Sequence, residues 1–258
     1  MKNGVLILFI CCFSFTISAQ QNYSLRKYAH VKYFYKNISQ QATELCLENN
    51  IPPAALLAIT GLESGWDSGY IGQITGNILS LGLRKGDIEL PALYLPRLIK
   101  TNTILFDSLE IIKYSSNQLK WENRPESLKK DYRPKHIAGT KFQLGYFKQN
   151  PAAKAKAQLA NIKDFVTVFI GRKSRLKAYR NAREKMDNLV AKHGKTILLK
   201  EQTAIDFVNE IGGKPNSYNF RETWPKKVIY IIKRAGLSNL TTDLHQEISF
   251  EKSWTSLK

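Results

Sequence analysis

A carboxylate stands where an apolar side chain belongs in the most sharply patterned stretch of this sequence, Ile51-Pro-Pro-Ala-Ala-Leu-Leu-Ala-Ile-Thr-Gly-Leu-Glu63-Ser-Gly-Trp66. Prolines suit the opening of a helix and an apolar run follows them, so the pattern predicts a helix from about Pro53. Leu56, Ile59, Glu63 and Trp66 then fall at i, i+3, i+7 and i+10, which sets the carboxylate on the stripe that faces a core. Desolvation raises a carboxyl pKa, and a carboxylic acid that keeps its proton near neutral pH can work as a general acid. The alternative is a glutamate at the edge of the stripe with its head in water. Spacing alone does not decide between them.

The chain opens with Lys2, an apolar run from Val5 to Phe15 that is too short to span a bilayer, and the small-residue site Ile17-Ser18-Ala19. That is the pattern of a secretory signal peptide over residues 1–19, which places the product in the periplasm or outside the cell. No later apolar run reaches membrane-spanning length, so no integral membrane segment is expected once the signal is removed. Cys11 and Cys12 leave with the signal, and Cys46 remains on an apolar helix face, where it reads as core filling without a disulfide partner. His30, His136, His193 and His245 are scattered and no Cys/His cluster has ligand spacing, so neither a metal nor a cofactor is expected.

The formal charge is +18. Residues 141–200 carry fifteen Lys and Arg against Asp164, Glu184 and Asp187, an excess that attracts polyanions. Export makes nucleic acid a poor partner, and cell-wall polymer or an anionic surface fits the address better. Lysines on exposed helix faces that only keep the chain soluble are the plainer reading.

Along the chain, residues 20–35 read as a polar lead-in, with a first helix from about Ser39 to Asn49 ahead of the Glu63 helix. Gly65, Gly69, Gly72, Gly76, Gly82 and Gly86 then crowd together and predict the end of regular structure. Residues 87–150, with Pro91, Pro96, Pro125 and Pro134 and extended runs such as 103–106, read as a loop-rich lobe that holds at most a small hairpin. Helical periodicity returns at 159–170, continues over 174–193 with Leu176, Tyr179 and Met186 on one face, and recurs over 203–211 and from Trp224-Pro225 to Gly236. Residues 238–258 read as a tail. The fold class is mainly α, with a minor irregular or β-containing lobe inserted (α+β).

Ile51-Pro-Pro, Leu62-Glu-Ser-Gly-Trp66 and Thr75-Gly-Asn77-Ile-Leu-Ser-Leu-Gly82 resemble motifs of the bacterial glucosaminidase domain of peptidoglycan hydrolases, and Lys173-Ser-Arg-Leu-Lys-Ala-Tyr179 resembles a later one. The resemblance covers about residues 36–237. It implies a lysozyme-like helical domain with a small β lobe, and hydrolysis of the β-1,4 bond after N-acetylglucosamine in peptidoglycan glycan strands. By the same resemblance Glu63 matches the general acid, Tyr179 an active-site tyrosine, and Asn77 a substrate-binding residue at the groove wall. Tyr179 also lies on the apolar stripe and reads equally as core, and Trp66 reads as packing behind the acid.

The chain departs from the family at Ser80-Leu81-Gly82, where Phe-Gly is common, and in the length of residues 87–150. The second acid is therefore open among Asp87, Glu89, Asp107, Glu110 and Glu122, with Glu89 preferred because it follows the Asn77 motif most closely. A second carboxylate would stand about 5–5.5 Å from the acid for retention, or about 6.5–9.5 Å for inversion. The 2-acetamido group of the substrate can replace it as an internal nucleophile. Two alternatives share the fold: a lytic transglycosylase, although its Gly-Leu-Met-Gln-like motif is missing, and a wall-binding protein without catalysis.

Overall fold

The computed structural model describes residues 23–256. The expected signal peptide, with Cys11 and Cys12, lies outside the described residues. A short 3-10 turn (Ser24–Lys27) leads into α1 (Ala29–Glu48), followed by α2 (Pro53–Ser64) and α3 (Tyr70–Thr75). The last part of the expected lead-in, residues 29–35, is therefore the start of α1, where Val31, Phe34 and Tyr35 are buried.

α2 is the axis of the molecule. Pro52 is held extended (φ −64°, ψ 114°) ahead of Pro53, as a residue preceding proline must be, and Pro53 opens the helix. Every residue from Pro53 to Gly61 is buried, so this helix is apolar all round instead of on one stripe. α1 covers one side, while α8 (Glu201–Ile211), α9 (Thr223–Ala235) and α10 (Leu237–His245) cover the others. Gly65 ends α2 in the left-handed conformation (φ 58°), where glycine carries no Cβ penalty, and the Trp66 amide bonds back to the Gly61 carbonyl at 3.0 Å.

The glycine-rich stretch after α2 is not wholly irregular, because it contains α3. The lobe that follows holds an antiparallel sheet in the order β2-β1-β3, formed by β1 (Leu93–Leu98), β2 (Thr103–Ile104) and β3 (Leu119–Arg124), with the one-turn helix α4 (Ser108–Ile111) between β2 and β3. Leu95 faces Glu122 and Leu98 faces Leu119 in the β1–β3 register. The lobe has its own core of Ile74, Leu90, Leu93, Leu95 and Phe106. Its opposite face carries the exposed stacked pair Tyr94 and Trp121, whose ring centroids lie 5.3 Å apart.

After the one-turn helix α5 (Tyr146–Gln149), α6 (Pro151–Asp164) runs into a single π turn (Phe165–Phe169) before α7 (Lys177–His193). Cys46, Tyr179 and Met186 are all buried in the main core. Gly236 does not end the fold. It is a left-handed joint (φ 60°) between α9 and α10, and α11 (Phe250–Thr255) follows. The expected tail thus packs as helix, with Leu240, Leu244 and Trp254 buried. Arg26 ties the two ends of the described chain together, donating to the carbonyls of Ala235, Gly236, Ser253 and Trp254. The molecule is mainly helical, with one small three-stranded sheet.

Candidate active site around Glu63

Glu63 lies in the last turn of α2 and is half-buried. Its Oε1 accepts a hydrogen bond of 2.8 Å from Nε1 of Trp224, in the first turn of α9. Trp224 is only 3% exposed, and a buried indole N–H seeks an acceptor, so the pair satisfies the donor of one element and anchors the carboxylate of another. Gly212 makes room for it, since a Cβ there would lie 2.2 Å from the Trp224 ring. Tyr218 packs on Trp224 with ring centroids 5.3 Å apart and gives its hydroxyl proton to the Leu79 carbonyl. α7 contributes Tyr179, 6% exposed.

Burial pushes the Glu63 carboxyl above the ordinary glutamic acid range, against the opposing pull of the Trp224 hydrogen bond and of the positive charges of Lys129 and Arg221. Burial likewise raises the phenols of Tyr179 and Tyr218, and the Glu63 charge adds to both. Tyr179 and Tyr218 both lie within electrostatic reach of Glu63, and the Trp224 indole holds the carboxylate directly. What the arrangement can do is retain a proton on Glu63 at a pH where an exposed glutamate has lost it.

Asn77 is placed differently from the groove-wall expectation. Its Nδ2 donates to the carbonyls of Leu81 and Lys130 at 2.9 and 3.0 Å, and its Oδ1 accepts from the Leu81 amide and from Nδ2 of Asn161. Two donors and two acceptor sites are all it has, so the amide is fully engaged inside the protein. Its role is to brace residues 77–81, and with them the Leu79 carbonyl that holds Tyr218. Trp66 points away from Glu63. It lies beyond the end of α2 and donates its indole N–H to the Tyr35 hydroxyl on α1 at 3.1 Å.

Four of the five candidate second acids are engaged elsewhere. Asp87 pairs with Lys130 and Arg84, Asp107 caps α4 through the Leu109 amide, Glu110 pairs with Lys148, and Glu122 is held by Arg97, Lys120 and Arg124. Glu89 is the exception. It bridges to Lys130 through the backbone, and its Oε2 is buried without a hydrogen-bond partner. The charges that bear on Glu63 are those of Lys129 and Arg221, so Glu89 is set apart by its unspent oxygen and not by contact with Glu63.

Trp224, Tyr218, Lys129 and Arg221 escaped the sequence reading. Trp224-Pro225 marked only a helix start, and nothing in a sequence pairs a tryptophan with a glutamate 161 residues earlier. Among the described residues no group of three or more His, Cys, Asp or Glu side chains converges to hold a metal ion, and no helix is long and apolar enough to cross a membrane. Comparison with protein-family models, with curated proteins and with solved structures gives no match for this chain.

Proposed function

We propose that this chain is an exported glycoside hydrolase of lysozyme-like architecture that cuts the β-1,4 bond after N-acetylglucosamine in peptidoglycan, with Glu63 as general acid. The observation that carries the reading is the half-buried Glu63 carboxyl, fixed by the Trp224 indole and shifted toward its protonated form. Protonated Glu63 gives its proton to the glycosidic oxygen as the bond to the anomeric carbon breaks. The acetamido carbonyl oxygen of the same sugar closes on that carbon to form an oxazolinium ring. Water then opens the ring, losing its proton to the Glu63 carboxylate and restoring the acid. Glu89, with one oxygen unspent, is the candidate for a carboxylate that assists. Tyr179, whose buried phenol feels the Glu63 charge, is the candidate to orient the acid.

The test is digestion of purified peptidoglycan, with analysis of the borohydride-reduced fragments. N-acetylglucosaminitol ends support the proposal. Anhydro-muramyl ends would make the chain a transglycosylase, and binding to insoluble wall without any cleavage would make it a binding protein.

A further inference from the structure

Beside the turn that follows α2, a cleft of about 360 Å³ opens between the first half of α1, the turn itself and the start of α6. Tyr33, Asn37, Trp66, Asp67, Lys154 and Gln158 are among its lining residues. It does not share the Glu63 environment. Gly65, Trp66 and Asp67 all take the left-handed conformation (φ 58°, 51° and 66°), which turns the chain so that Trp66 faces α1 while Glu63 faces α9. Two successive non-glycine residues in that region carry backbone strain, and such strain concentrates at ligand sites.

The lining specifies the ligand's chemistry. Tyr33 is 67% exposed and Trp66 partly buried, so aromatic surface is open to a partner. Asp67 is paired with Lys154 through Oδ2, while its Oδ1 is buried without a hydrogen-bond partner, so the cleft keeps an acceptor for a hydroxyl or amide donor. Asn37 offers a neutral donor and acceptor, and Gln158, 4% exposed, turns its amide toward Asp67. A hydroxyl- and amide-bearing ring with an apolar face meets all of these conditions, its face on the aromatic side chains and a hydroxyl on Asp67 Oδ1, whereas a lipid would leave that oxygen unpaired.

We propose that this cleft is a saccharide-binding site, separate from Glu63, that holds a neutral N-acetylated sugar unit against Tyr33 and Trp66. It goes beyond the hydrolase reading and does not depend on it. The chain has four tryptophans, so their indole N–H resonances separate the two sites: Trp66 reports the cleft and Trp224 reports the carboxylate. Chitotetraose is titrated into the ¹⁵N-labelled full chain carrying Glu63→Gln, so that the probe survives. The Trp66 resonance is expected to move saturably. In a second chain that also carries Tyr33→Ala, a truncation at an exposed position that folding tolerates, the affinity read at Trp66 falls about tenfold while any response of Trp224 is unchanged. A silent Trp66 overturns the proposal, whether or not Trp224 responds, and so does a Trp66 that answers acetate or lysine but not chitotetraose. Because cleavage is read separately in the digest, a chain that cuts peptidoglycan with Trp66 silent loses the cleft and keeps the hydrolase reading.

Discussion

At Glu63, desolvation favours the protonated carboxyl while the Trp224 hydrogen bond and two nearby cations favour the carboxylate, and desolvation is the larger. In the folded chain the pKa lies above its unfolded value. Stability from this residue is therefore unaffected in acid, declines as pH rises from the unfolded pKa through the folded one, and stays lowered above it. Glu63→Gln, which keeps an acceptor for Trp224, should make the chain more stable than wild type at neutral pH, with the difference closing in acid. Urea unfolding at both pH values checks this. The same shift places the alkaline limb of kcat/KM above the ordinary glutamic acid range, and a limb at the ordinary value would deny Glu63 its role. Tyr179→Phe retains the buried ring and removes the hydroxyl. It should leave stability within about 1 kcal/mol of wild type and lower kcat about 100-fold, as removal of a single active-site donor does. At this scale Glu63 was legible in the sequence because a charge interrupts an apolar run. Trp224 and Tyr218 were not, since an indole or a phenol among apolar residues reads as core until its partner is seen.

At the scale of elements, the site depends on how closely α2 and α9 approach their neighbours. Gly212→Ala would drive a methyl into the Trp224 ring, displace the indole from Glu63, and cost about 1–3 kcal/mol as overpacking does. Loss of Trp224 fluorescence shielding together with loss of activity is the expected signature. Gly61→Ala acts on the other side, because its Cβ would lie 2.7 Å from the Tyr35 hydroxyl and 2.8 Å from Nε1 of Trp66. It should disturb the Trp66 turn before it disturbs the acid. The start of α2 was readable from its prolines. The sheet was not, because Pro96 sits in its central strand, where proline argues against a strand. The Pro96 carbonyl still accepts from the Leu105 amide at 2.9 Å, so the ladder keeps one of the two bonds at that position. Gly236 reads as a stop in sequence, yet its left-handed backbone serves as a corner between two helices.

For the whole molecule, Arg26 closes the fold by joining the 3-10 turn to the end of α9, the Gly236 corner and α11. Arg26→Ala removes a buried planar donor set and leaves carbonyls unpaired, so a loss of about 2–4 kcal/mol is expected in denaturant unfolding, without change in the pH profile of activity. The +18 charge belongs to this scale as well. Retention on insoluble wall should weaken as salt rises, because the Debye length contracts to about 3 Å at 1 M, whereas cleavage of a short neutral glycan should not. The mainly helical class and the separate lobe were legible from periodicity, while the packing of the chain ends depends on contacts more than two hundred residues apart. The most direct measurement compares wild type with Glu63→Gln on purified peptidoglycan, scoring released reducing ends and wall retention together. Glu63→Gln is expected to lose cleavage by about 10²–10⁴-fold with retention unchanged. Equal cleavage by the two proteins, or none by either, would contradict it.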